Sequence, residues 1–459
     1  MKYIAAGVMA LGAVCMSAQD LESARRLAED GMAEQALATL DSIDDDSEAM
    51  LFRGELLWSI GRDADAVAAL RSAGTAEAKL RLADIAISRY NLDEARAILE
   101  SLKPKARRGR KPADPPAGVA VLEERAERVA DMLTRVEAVQ IIDSVNVPAD
   151  EFFRNYRLSP ESGTIAGRDV LPRDVDADEN TVVFIPQSGR RMIWSAPDTA
   201  GTNRLVWADA LYGDEWDTPA PLGETLASDG ADAAYPFMMP DGITLYYASD
   251  SDDSLGGYDI YMARRTDDGF LEPVNLGMPY NSPYNDYMMA VDEFTGIGWF
   301  ASDRNRVPGM VTIYTYIPAE MRVNVDPEDP DLAAKALLSP LSAARGKADD
   351  VTAARRRLAA LAAQGTALSA PDFTVYVPGR GVLTSYSQLP GGMAKQAARN
   401  YVEALQGRDD TARRLCAARN RYAGGDSSLA GEIQALERNL EETDTELRRL
   451  RNQLVEAAD

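Results

Sequence analysis

Between Asp250 and Asp259 the chain reads DSDDSLGGYD, and between Asp174 and Asn180 it reads DVDADEN. Carboxylates this dense are the raw material of a calcium loop, which needs alternating oxygen ligands, a glycine at its sharp turn and a distal bidentate glutamate. The first stretch lacks the alternation and the distal glutamate. The second alternates, but Glu179 stands where the glycine is needed and no glutamate follows at the required distance. Aspartate and glycine in both read instead as turn chemistry, supplying side-chain hydrogen bonds and positive φ. The chain has no histidine, which removes Ser-His-Asp and Cys-His nucleophiles, imidazole bases and histidine zinc sites. Cys416, without a histidine to activate it, reads as a packed thiol. The enzyme chemistry left is glycoside hydrolysis by paired carboxylates, with Trp194, Trp207, Trp216 and Trp299 available to stack on sugars. No carboxylate pair stands apart from the turn aspartates. No catalytic, cofactor-binding or metal-ligating residue is therefore assigned.

The 459 residues exceed one ordinary core, so several domains are expected. The opening MKYIAAGVMALGAVCMSA has a lysine, an apolar run from Ile4 to Met16 and small residues at Ser17-Ala18. It is too short to span a bilayer and reads as a signal peptide over residues 1–18, implying export across the inner membrane. The rival, lipidation at Cys15, wants a small residue where Val14 stands. A formal net charge of −24 opposes nucleic acid as a partner. No later stretch reaches the apolar length of a transmembrane helix.

Residues 19–145 read as paired helices. GMAEQALATL, GRDADAVAAL and YNLDEARAIL align, placing Ala36, Ala66 and Ala95, and then Leu40, Leu70 and Leu99, at a period near thirty. A small residue at each crossing with a leucine one turn later is the signature of a stacked helix-pair solenoid. The segment resembles tetratricopeptide repeats in its turn glycine and in these Ala and Leu positions, which implies binding of a peptide or protein segment. A basic, proline-rich loop is expected over 103–118.

A second repeat has a period of 53–54 residues. WDTPAPLG from Trp216 returns as FLEPVNLG from Phe270, YYASD at Tyr246–Asp250 returns as WFASD at Trp299–Asp303, and Ile260-Tyr261 returns as Ile313-Tyr314. Each unit holds four short β runs bounded by Asp, Gly or Pro, with Pro240-Asp241-Gly242 as a hairpin turn. The stretch YPFMMPDGITLYYASD followed by GGYDIYMAR resembles the TolB-like propeller repeat. The resemblance implies a β-propeller over 146–390, with a helical insert at about 331–364 and a ring completed by the segment before residue 180 and by a strand pair near VYVPGRG; an open sheet array is the alternative. Helical repeats joined to such a propeller resemble Gram-negative envelope proteins linked to type IX secretion and outer-membrane assembly. Their OmpA-like C-terminal domain has no counterpart here.

From Leu429 to Leu454 apolar residues recur in steps of four and three through Ile433, Leu436, Leu440, Leu447 and Leu450, with Thr443 between. This is a heptad seam. Residues 391–459 are expected to form a helical hairpin with Met393–Arg421, or a coiled coil with a second copy through 429–454. The functional expectation is a non-catalytic periplasmic or outer-membrane-associated scaffold or adaptor that binds envelope proteins. The alternative is a secreted carbohydrate-binding or carbohydrate-active protein using carboxylates.

Overall fold

The computed structural model describes residues 20–458 except 44–45, 105–113, 173–174, 176, 212–215, 320, 342–350, 354, 357, 360–372, 374, 378–379, 384 and 424–428. The expected signal peptide, Cys15, much of the basic loop and part of DVDADEN lie outside the described residues.

Helices α1 (20–29), α2 (Ala33–Leu40), α3 (Ser47–Ser59), α4 (Asp63–Ala73), α5 (Ala76–Ser88), α6 (Leu92–Leu102) and α7 (Gly118–Leu133) build the N-terminal part. α3 packs on α4 and α5 on α6, with α7 against both α5 and α6. Asp46 and Thr75 cap α3 and α5 by accepting backbone amides of Glu48 and Ala78. Ala36, Ala66 and Ala95 are fully buried, and Leu40, Leu70 and Leu99 nearly so. Small side chains at the crossings thus let paired helices approach while the leucines fill the grooves between them.

The strands follow as β1 (Gln140–Pro148), β2 (Thr164–Gly167), β3 (Val182–Ile185), β4 (Arg191–Pro197), β5 (Asn203–Asp209), β6 (Ala220–Pro221), β7 (Ala233–Met238), β8 (Thr244–Ser249), β9 (Asp259–Thr266), β10 (Gly269–Phe270), β11 (Val274–Asn275), β12 (Asp286–Asp292), β13 (Ile297–Ser302) and β14 (Met310–Ile317). They make three antiparallel sheets, ordered β2-β3-β4-β5-β6, β7-β8-β9-β10 with β11 also on β9, and β1-β14-β13-β12. The first packs on the second through β7, and the second on the third through β12.

The closed β-propeller expected from the sequence is not formed: none of the three sheets closes, and they stack as an open array. The physical reason lies in where the extra strands go. The segment before residue 180 is divided, β1 pairing with β14 in the third sheet and β2 with β3 in the first. The late strand pair, β15 (Val375–Val377) and β16 (Gly381–Leu383), pairs only with itself and buries Val375, Val377 and Leu383 against the C-terminal helices. Three repeats fall short of the four or more blades that a ring takes.

Between β1 and β2 the chain crosses from the third sheet to the first. Phe152 sits edge-on to Tyr235 of β7 and Tyr287 of β12, with ring centres 6.0 and 5.3 Å away. The Tyr156 hydroxyl donates to the Met288 carbonyl at 2.8 Å, and the Ser159 amide donates to Asp292 Oδ2 at 2.6 Å. Tyr235 and Met288, one repeat apart, both sit at positive φ where the β7–β8 and β12–β13 registers shift. These are β-bulges that re-aim the strand beside the crossing segment.

After the sheets come α8 (Leu332–Leu337), α9 (Gly392–Ala423) and α10 (Ala430–Ala458). α8 packs on α7 with Ala336 buried beside Val129 and Val136. The described residues 351–353, 355–356 and 358–359 are helical, with Val351 and Leu358 on the main sheet core. α9 and α10 run antiparallel: Leu415 and Ala418 meet Leu436, while Tyr401 shares a cluster with Leu447, Leu450 and Leu454. The heptad seam is thus covered within the chain, by α9 and by the β15–β16 pair.

Candidate binding site

The aspartates of the opening motif are consumed by the fold. Asp250 Oδ1 accepts the Asp232 amide at 2.7 Å, and Asp232 Oδ1 in turn accepts the Asn203 amide at 2.7 Å. One repeat later, Asp303 Oδ1 accepts the Asn285 amide at 2.8 Å and Asn285 Oδ1 accepts the Tyr258 amide at 3.0 Å. The aspartate of each aromatic-Ala-Ser-Asp motif therefore fixes the start of its own sheet, and the residue it holds ties down the start of a strand in the sheet before, β5 and β9 respectively. Asp241 holds the β7–β8 turn, accepting the Ile243 and Thr244 amides at 2.8 and 2.9 Å. Burial pushes its carboxyl up, and these amides with the Thr244 hydroxyl outweigh that, leaving it below the usual carboxylate range.

Gly256 and Gly257 serve close approach. A Cβ on Gly256 would lie 2.3 Å from the Tyr284 carbonyl oxygen, and one on Gly257 2.2 Å from Asn285 Oδ1. This presses the 250–258 connection onto the third sheet, and its outer surface receives the helices. Arg128 of α7 donates to the carbonyls of Asp252 and Ser254 at 2.6 and 2.8 Å. Arg125 donates to Leu255 and Pro283 carbonyls and pairs with Asp84 of α5. At the α3–α4 corner, Arg306 donates to the Trp58 carbonyl at 2.8 Å and to Asp63 Oδ1 at 2.6 Å, its guanidinium 3.6 Å from the centre of the Trp58 ring. Tyr280 reaches Glu137 at 3.1 Å, and burial raises the Glu137 carboxyl against the pull of Arg322 and that hydroxyl.

Beneath this junction lies a fully buried polar cluster. Arg304 donates to Asp286 Oδ1 at 2.6 Å, to Ser302 Oγ at 2.9 Å and to the Pro279 and Tyr280 carbonyls at 3.0 and 2.8 Å. Burial pushes the Asp286 carboxyl up, and the Arg304 guanidinium with the Ser282, Ser302 and Arg304 hydrogen bonds partly offsets it. Asp259 is pushed well above the usual range by burial, which outweighs the bonds from Asn275 and Leu255. These groups are enclosed, with every side chain of the pair at most 2% exposed, so they position strands and meet no solvent-borne substrate.

The tryptophans do not make a sugar platform. Trp194 and Trp299 are buried, Trp207 lies under the Arg191 guanidinium at 3.9 Å, and Trp216 is half-buried on the outer core of the first sheet. Among the described residues no group of three or more Cys, Asp or Glu is placed to hold a metal ion. The Cys416 side chain lies outside the described ones. No helix of the described residues is long and apolar enough to cross a membrane.

One concave surface remains on the sheets. Between the turn ends of the first and second sheets opens a cleft of about 380 Å³. Phe184, Ile193 and Leu222 wall it on one side, Met238 and Met239 on the other. β3 and β4 share one paired position, Phe184 with Ile193, and the turn between them lends Pro186, Gln187, Ser188 and Arg190 to the lining. Three arginines reach the rim. Arg191 is bound by Asp209 through two contacts of 2.6 and 2.7 Å, whereas Arg190 and Arg265 are exposed and have no ion pair among the described residues. Glu161 is the one further carboxylate in the lining. Sequence reasoning passed over these arginines; the only signal was their doubling, as Arg190-Arg191 and Arg264-Arg265, at strand ends.

No family model, no curated protein and no solved structure matches this chain.

Proposed function

We propose that the chain is a non-catalytic scaffold or adaptor of the cell envelope, binding other proteins through the surfaces of its helical pairs and its sheet array. What carries the reading is the junction. α7 and the α3–α4 corner are fastened to the sheet connections by charged side chains on backbone carbonyls, bonds of roughly 1.5–3 kcal/mol each when well formed. Two unlike surfaces are thereby held in one fixed relation, which an adaptor needs and an isolated catalytic pocket does not. The polar groups of the sheets support this too, since their carboxylates are spent on turns and strand starts. Export and a role in outer-membrane assembly or secretion are the setting that the first eighteen residues and the sheet-repeat pattern favour.

The test is cross-linking and affinity capture of the tagged full chain from native envelopes, beside Arg306→Ala and Arg128→Ala combined. A stoichiometric protein partner whose recovery falls in the double variant, while the variant stays folded by circular dichroism, is the expected outcome. Capture of no protein by the unaltered chain, with glycan binding in its place, would overturn the reading.

A further inference from the structure

We propose that the cleft between the first and second sheets takes an acidic peptide segment of a partner protein, an apolar side chain entering between the sheets and carboxylates meeting Arg190 and Arg265. This rests on the adaptor reading and assigns it a site. The apolar part follows from the walls. Phe184, Ile193, Leu222, Met238 and Met239 line an opening large enough for a ligand; Phe184 and Ile193 are only 1% exposed, so an entering side chain meets half-buried Leu222 and the two methionines first. Methionines on one wall re-pack around side chains of different shape, which suits a peptide.

The charge follows from what the rim lacks. In a chain with 73 acidic and 49 basic residues, an arginine finds a carboxylate easily, as Arg191 does in Asp209 and Arg204 in Asp198. Arg190 and Arg265 stand at the same cleft with neither engaged. A guanidinium offers a planar fork matched to a carboxylate, and such charge-assisted pairs are among the stronger hydrogen bonds. Glu161 opposes them, so the lining is positive by one charge and the acidic end of the segment lies on the Arg190–Arg265 side. Beyond about 8 Å at physiological salt the chain's overall negative field is screened, leaving the rim to decide.

The experiment uses the full chain at about 0.15 M salt and fluorescein-labelled short peptides read by anisotropy. One peptide alternates glutamate with leucine and phenylalanine, a second replaces glutamate by glutamine, and a third by lysine. The acidic peptide binds, and the glutamine form binds about tenfold more weakly or worse, the loss expected for one charge-assisted contact. Arg190→Glu combined with Arg265→Glu, both on exposed side chains, loses the acidic peptide by at least about tenfold and gains the lysine peptide, with an unchanged thermal melt. Equal binding of the acidic and glutamine forms, an unaffected double variant, or no binding by any peptide would each overturn the assignment. So would phosphatidylglycerol vesicles that bind with the same arginine dependence while the peptides fail. If peptides fail and envelope capture persists, the cleft assignment falls and the adaptor reading stands; if capture fails as well, both fall.

Discussion

Replacing Arg306 by alanine should loosen the first helices from the sheets and leave the sheets intact. The side chain is 15% exposed and bridges the third sheet's Asp303–Arg306 turn to the α3–α4 corner. The substitution removes two charge-assisted bonds, at 2.8 Å to the Trp58 carbonyl and 2.6 Å to Asp63, and a guanidinium stacked 3.6 Å above Trp58. Asp63 keeps Arg89 at 2.9 Å, so its carboxylate is not stranded. The Trp58 carbonyl gains access to water once the side chain is gone. Two bonds of about 1.5 kcal/mol and a cation–π contact of about 1 kcal/mol, reduced by the recovered hydration, leave a loss of about 2–3 kcal/mol. At 1.4 kcal/mol per decade that is about 30- to 150-fold in the local opening equilibrium. Hydrogen exchange resolved by peptide reads it directly: amides of α3 and α4 should exchange faster by that factor, while β8, β9, β12 and β13 keep their protection. Arg306→Lys, which keeps the charge and loses the fork and the stacking, should fall between. If exchange in α3 and α4 does not change, the corner is held by something else and the fixed mounting loses its main fastener. If every element accelerates together, the contact belongs to global stability and the reasoning fails in the other direction.

Arg304→Met should cost about 3–5 kcal/mol in urea unfolding, because it strands the buried Asp286 carboxylate; adding Asp286→Asn should recover a large part, and simple additivity of the two would contradict a coupled pair. Asp259→Asn should change how stability depends on pH. The folded-state value of Asp259 is raised, so its contribution is complete below the unfolded value of about 3.9 and is lost as pH rises through the folded value. The asparagine variant should therefore gain in melting temperature relative to the parent from pH 4 to pH 8, and an offset constant over that range would refute the assignment.

Much of the strand pattern was legible because its signals are local. The period of 53–54 placed YYASD and WFASD on β8 and β13, and Pro240-Asp241-Gly242 at the turn Asp241 now holds. FLEPVNLG, the stretch that repeats WDTPAPLG, carries two short strands of two residues each, β10 starting at Gly269 just before it and β11 within it. Pro273 between them has no amide to give a ladder. Closure was not legible, because it depends on which segment joins which sheet: β1 pairs with the distant β14, while β2, after the crossing segment, pairs with β3. The candidate cleft was missed for a related reason. Its walls read as ordinary core and its arginines as surface charge, and only the packing of the first sheet on the second brings them together. The junction arginines are harder still, since Arg125, Arg128 and Arg306 meet backbone carbonyls, which every sequence offers everywhere.

The segment between β1 and β2 bears on both the sheet array and the cleft. In a closed ring the inner strands face a common axis, and a ligand pocket forms there. Here the chain between β1 and β2 brings Phe152 edge-on to Tyr156, Tyr235 and Tyr287, with Tyr235 and Tyr287 stacked on each other at 4.6 Å. The same segment, leading into the first sheet, is tied to the third through Ser159, Ser162 and Asp292. The cleft borders this contact, with Ser162 in its lining, and is bounded beyond it by apolar walls and by Arg190 and Arg265, which have no ion pair among the described residues.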